Sequence, residues 1–174
     1  MANIALVSVL CQDRPGLIAA VTGRLYDIGA NLDDTTFAVL GGAAEFNAVC
    51  ELPDGVSLAS VEKELGEITN LAGAKISVTP FGYAPVHAEQ AHITHRIEIT
   101  GIDSPGLIAR LSEVFMQFGA NIVRLNSERL PGARDARYML RMAVYIPPEK
   151  ANTCLATVSN TAAQLALTCR SEKA

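Results

Sequence analysis

Two short segments of this 174-residue chain combine residue types that could hold a ligand. Asp13-Arg14-Pro15-Gly16-Leu17 precedes an apolar, helix-like stretch, and Asn31 follows that stretch. Asp103-Ser104-Pro105-Gly106-Leu107 and Asn121 repeat the arrangement. Proline presets φ near a helical value, and glycine removes a side chain that would block close approach. Asp13 can accept hydrogen bonds from the first amides of the helix. The remaining free amides and the helix dipole favour a small carboxylate or other anion. Asn31 adds a donor and an acceptor in one side chain. An amide pair of that kind beside a helix N-terminus suits an α-amino acid, which presents both ammonium and carboxylate. The same residues also form a good cap and turn with no ligand, and Asn31 and Asn121 can be turn residues after Gly29 and Gly119. Both readings stand at this level.

Other chemistry is weaker. His92 and His95 are three apart, but in a strand they would point to opposite faces, and no third ligand group joins them. No metal site and no cofactor is expected. There is no Ser/His/Asp or Cys/His set and no phosphate-binding glycine loop. Asp33 and Asp34 could do acid-base work, but solvation at a strand edge is the plain reading. Cys11, Cys50, Cys154 and Cys169 lack CxxC spacing, and no export signal precedes them. They are expected as reduced thiols in or near the core of a cytoplasmic protein.

The elements that position these residues repeat with them. Residues 13–32 and 103–122 are identical at 9 of 20 positions when the chain is slid by 90. Ile18, Val21, Leu25 and Ile28 make one helical stripe; Ile108, Leu111, Phe115 and Phe118 make its counterpart. Both stripes are expected in the core. Strands are expected at Ile4–Leu10 and Arg96–Thr100, before each helix. Gly-Ala-Asn closes each helix at Gly29 and Gly119. Strands then run to about Leu40 and Leu130. Gly41-Gly42 turns the first hairpin, and Pro131-Gly132-Ala133-Arg134-Asp135 the second. Inward alternation follows at Phe46, Ala48, Cys50 and Leu52, and at Tyr138, Leu140, Met142, Val144 and Ile146. A second helix carries Leu58, Val61, Leu65 and Ile68, with a Thr-rich counterpart at 149–163. Short strands close each half near Ile76–Thr79 and Leu165–Cys169. Each half thus reads βαββαβ, an α+β fold of ferredoxin-like type: four antiparallel strands with two helices on one face. The expected organisation is a first module at 1–81, a linker at 82–91 and a second module at 92–174.

Composition agrees with a folded chain: 49% apolar and 18% charged residues exclude disorder. The net charge of −4 and 5% aromatic content argue against direct nucleic-acid binding. No apolar run is long enough to span a bilayer, so no membrane association is expected. The charge is divided. Residues 1–90 carry 4 basic and 11 acidic side chains, and residues 91–174 carry 10 and 7. A basic second half could meet an acidic partner, another copy or the first half; Arg134 and Arg137 are candidate contacts there. Opposite solvated faces are the plainer reading.

DRPGLI with GANL, and DSPGLI with GANI, resemble the ACT domain, a small amino-acid-binding regulatory module. The resemblance covers almost the whole chain as two modules with no catalytic domain. It implies sheets paired side by side in a homo-oligomer, with a small amino acid, glycine or similar, bound at the interface. It also implies ligand contacts at Asp13, Arg14, Pro15, Gly16, Leu17 and Asn31, and at Asp103, Ser104, Pro105, Gly106, Leu107 and Asn121. The free-standing tandem layout is similar to that of a transcriptional regulator, which implies action through a partner such as a DNA-binding activator, not on DNA itself. Ser104 stands where the first copy has Arg14; if Arg14 helps hold a carboxylate, the two sites are expected to differ in affinity, or only one to bind. The rival readings are a metabolite-independent scaffold that assembles through sheet edges and, less well supported, an enzyme.

Overall fold

The computed structural model describes residues 3–84, 86–130 and 137–174. The expected second hairpin turn, with Arg134, and Pro85 of the expected linker lie outside the described residues. The chain divides into two compact units, Met1–Tyr83 and Ala84–Ala174.

Unit 1 contains β1 (Asn3–Gln12), α1 (Leu17–Asp27), β2 (Asn31–Leu40), β3 (Ala43–Leu52), α2 (Leu58–Gly66) and β4 (Lys75–Pro80). Unit 2 contains β5 (His95–Ile102), α3 (Leu107–Gln117), β6 (Asn121–Leu130), β7 (Arg137–Tyr145), α4 (Ala151–Gln164) and β8 (Thr168–Lys173). The sheet orders are β2-β3-β1-β4 and β6-β7-β5-β8, antiparallel throughout. Each unit is therefore a ferredoxin-like α+β module, as the βαββαβ pattern predicts.

Strand alternation sets the layers. Ala5, Val7, Val9 and Cys11 of β1 face inward with Phe46, Ala48, Cys50 and Leu52 of β3, and all are buried. In unit 2, Ile97 and Ile99 meet Leu140, Met142, Val144 and Ile146 in the same way. The helices cover these faces with Val21 and Leu25, and with Leu111 and Phe115.

The helical stripe differs at its start. Leu17 and Leu107 are buried, whereas Ile18 is 47% exposed and Ile108 is half-buried. Spacings of 17, 21, 25 and 28 also lie on one face, and that face is turned to the sheet. Both helices close as the sequence predicts. Gly29 and Ala30 donate to the Tyr26 and Leu25 carbonyls, and Gly119 and Ala120 to those of Met116 and Phe115. These are the paired bonds of a Schellman stop. In α2, Ser57 and Ser60 cap reciprocally. Ile68 falls beyond that helix, and β8 starts at Thr168 rather than Leu165. Leu165–Leu167 are instead spent on the stop of α4, where Ala166 and Leu167 donate back to the Ala163 and Ala162 carbonyls.

Candidate ligand-binding site

Each Asp-x-Pro-Gly segment is a tight turn into a helix. Gly16 has φ +85° and ψ 3°, and Gly106 has φ +81° and ψ 3°. With proline before it, this is the second central position of a type II turn, which an L side chain rarely adopts. Leu107 N–H donates to the Ser104 carbonyl at 3.2 Å, closing the turn in unit 2. A Cβ at Gly106 would meet nothing, and one at Gly16 only Asn70 Nδ2 at 3.8 Å. Backbone sign, not crowding, therefore selects glycine here.

The turn also displaces the expected cap. Gly16 and Gly106 are the N-cap residues, and no side chain caps either helix. Asp13 stands three residues before the N-cap, and its own backbone N–H donates to the Gly42 carbonyl at 3.0 Å. Asp103 is engaged elsewhere: its carboxylate accepts from Arg129 Nη2 at 2.8 Å. Only strand register brings Arg129 of β6 there, and nothing in the local sequence signals it. The first-turn amides are consequently left without side-chain partners in both units, in the electropositive field of a helix start.

Around each turn, Asp13, Pro15 and Gly16 are exposed and Arg14 is half-buried; Pro105 and Gly106 are exposed, Asp103 and Ser104 half-buried. Leu17 and Leu107 belong to the cores. The gap behind Leu17 is about 10 Å³, too small for any metabolite. Leucine at this position anchors the turn and leaves its backbone to face outward.

The asparagines are not beside the turns of their own units. Asn31 pairs with Glu51, which pairs with Ile4 at the start of β1. Asp13 follows the other end of β1, roughly 30 Å away at about 3.3 Å per residue. Asn121 pairs with Tyr145 at the far end of its sheet in the same way. The juxtaposition of Asn31 with the helix N-terminus, expected from residue chemistry, does not occur within a unit, because α1 and the turns that flank it carry the chain from one end of the sheet to the other. Asn31 is exposed. Asn121 Nδ2 donates to the Gln90 carbonyl at 2.9 Å, beside a hollow of about 470 Å³ lined also by Ser112, Phe115 and Met116.

The remaining candidates are placed in the core or in solvent. His95 is buried with Nδ1 at 2.9 Å from Thr94 Oγ1, while His92 is exposed. Among the described residues no three His, Cys, Asp or Glu side chains gather as a metal site. The four cysteines are free thiols. Burial raises each of them, Cys50 to about 11, so they are protonated and poorly nucleophilic at neutral pH. Asp33 and Asp34 sit in the bulge of β2 between Leu32 and Thr35. No helix among the described residues is long and apolar enough to cross a membrane.

The turn and the topology are common to both units. Residues 3–79 match the ACT domain, and unit 2 repeats the fold and the Asp-x-Pro-Gly turn of unit 1. Among the proteins it resembles is the glycine cleavage system transcriptional repressor. That of Escherichia coli is 23% identical over 147 residues, covering 80% of this chain and 72% of its own. A solved structure of an unknown protein from Galdieria sulphuraria has a TM-score of 0.77 at 23% identity, covering 100% of this chain and 99% of the other. Another, of a protein proposed to be a glycine cleavage system transcriptional repressor, has a TM-score of 0.69 at 12% identity, covering 100% and 98%.

Proposed function

We propose that this protein is a non-enzymatic regulator that senses a small amino acid, glycine or similar, and passes the signal to a protein partner. The observation that carries the reading is the duplicated type II turn opening an uncapped helix. A ligand carboxylate would accept from the first-turn amides, and in unit 1 Arg14 adds a guanidinium to the same neighbourhood. The ligand ammonium requires an acceptor, which the side chain of an asparagine supplies. Turn and asparagine lie at opposite ends of a unit, so a complete site needs a second module laid antiparallel alongside. Homo-oligomerisation through sheet edges provides such a module, and β2 offers an exposed edge with Phe37, Val39 and Leu40 in solvent. Likeness to the transcriptional repressor supports a transcriptional role, and a DNA-binding activator is the partner we propose. An acidic chain with few aromatics is a poor direct reader of DNA. Ligand would act by binding the partner-competent and partner-incompetent states unequally.

The test is thermal unfolding against the twenty amino acids. An amino acid at about 100 times its Kd stabilises by roughly 2.7 kcal/mol, several degrees in Tm. Asn31→Ala abolishes that shift on this reading. A panel with no shift at all would leave the turn as a structural cap and favour a metabolite-independent scaffold.

A further inference from the structure

The outer face of the second sheet, away from its helices, carries arginines, Arg96, Arg124, Arg141 and Arg170 among them, where that of the first sheet carries none. In β5, Arg96 and Glu98 point outward, alternating with the buried His95, Ile97 and Ile99. Register places Ala143 and Glu172 on either side of Arg96, and Arg141 and Arg170 on either side of Glu98. Arg124 of β6 lies opposite Ala143 from the far side. The positions of unit 1 that correspond to Arg96, Glu98, Ala143, Arg141, Arg170 and Glu172 are Leu6, Ser8, Val49, Asn47, Ser77 and Thr79, none of them charged, and the acidic Asp34 stands where unit 2 has Arg124.

The charges of unit 2 do not cancel. Arg141 takes both Glu98, at 3.2 Å, and Glu128, at 3.0 Å. Arg96, Arg124 and Arg170 make no ion pair among the described residues, and all three are exposed. Together with Arg141 and the carboxylates of Glu98 and Glu172 they line a hollow of about 860 Å³, so arginines outnumber carboxylates around it. Its floor at Ala143 has only a methyl group, with a guanidinium stem on each neighbouring strand. Two strand spacings put the Arg96 and Arg124 backbones roughly 10 Å apart, within the combined reach of two arginine side chains. Converging guanidinium forks match the paired oxygens of phosphate groups.

We propose that this face binds a small multivalent anion bearing phosphate groups, seated over Ala143 between Arg96 and Arg124, with Arg170 at its margin. The site is separate from the Asp-x-Pro-Gly turns, and its occupancy does not depend on the amino-acid reading. An anion there neutralises repulsion among the three arginines and so stabilises unit 2.

The experiment is calorimetric titration of the full chain with inorganic pyrophosphate at physiological ionic strength, with citrate and a polyglutamate peptide as separate arms. The expected result is saturable pyrophosphate binding of one equivalent per chain, weakened about 10-fold or more by Arg124→Ala and by Arg96→Ala. Lys75→Ala, which removes a cation from the outer face of the other sheet, leaves it unchanged. Both arginine variants are solvent-facing, and their far-ultraviolet circular dichroism checks that they fold. Preference for pyrophosphate over citrate identifies phosphate as the recognised group. The proposal is overturned by no saturable binding, by binding that Arg124→Ala does not weaken, by citrate binding as tightly, or by tight uptake of polyglutamate alone. That last result would make the face a docking surface for an acidic chain.

Discussion

Where unit 1 places Ala5, Cys11, Arg24 and Val39, unit 2 places His95, Gly101, Val114 and Arg129, at the same points of the same fold. Each exchange is matched by its surroundings. Arg24 reaches across from α1 to α2 and bonds the Glu64 carboxylate at 2.7 Å and its carbonyl at 3.1 Å. Val114 is buried instead, against a longer α4 that brings Cys154, Val158 and Ala162 to the core. Cys11 fits under α1, whereas a Cβ at Gly101 would collide with Leu167. Among the described residues Asp13, opposite Val39, has no counter-ion, whereas Arg129 binds Asp103. The two copies teach that topology survives substitution when a contact across the gap changes too. They also teach that the candidate site residues are under no such rule: among the described residues the side chains of Asp13, Arg14 and Asn31 make no hydrogen bond or ion pair, whereas those of Asp103 and Asn121 are engaged.

The comparison can be broken first at the cores. Phe115→Ala should cost about 3–5 kcal/mol and Leu25→Ala about 2–5, read from urea melts, since both side chains are fully buried. An effect of either substitution below half a kcal/mol or so would remove its helix from the core. Next comes the contact peculiar to unit 2. Gly101→Ala should destabilise by about 1–3 kcal/mol through overpacking, and Leu167→Ala on that background should recover part of the loss. Cys11→Ala, at the matching place in unit 1, removes one buried sulfur and should cost less. The turns come third, and here the units should agree: Gly16→Ala and Gly106→Ala each cost about 1–2 kcal/mol because each residue has positive φ.

Titration gives the smallest effect and separates the units. Burial, with Lys173 adding repulsion, holds His95 below the ordinary histidine value. Below pH about 6.5 the unfolded chain takes up a proton that folded His95 refuses, so stability falls with acidification until the folded group itself titrates. Urea midpoints measured from pH about 7 down to about 5 should show this slope. His95→Ala, which copies Ala5 of unit 1, should flatten it.

Much of the fold was legible because periodicity reports burial directly. The ninety-residue repeat, the inward alternation of β3 and β7, the Gly41-Gly42 hairpin and the stops at Gly29 and Gly119 all follow from local chemistry. The start of the helical stripe was not, because Leu17 and Ile18 are both apolar and only the sharp turn at Gly16 decides which faces the sheet. The ion pair of Asp103 with Arg129 was hidden for another reason: it depends on which strands are neighbours. The relation of turn to asparagine was hidden likewise. Sequence places Asn31 just after the helix that Asp13 precedes, but that helix and the turns that flank it carry the chain to the other end of the sheet.

The distance between Asp13 and Asn31 also governs how a response would scale. A ligand gripped at both points needs two modules, so ligand uptake and module association form one linked equilibrium. Where the second module belongs to another copy of the chain, half-saturation moves to lower metabolite concentration as the protein becomes more abundant. The threshold of such a sensor is then set by its own expression level as much as by the chemistry of its pocket.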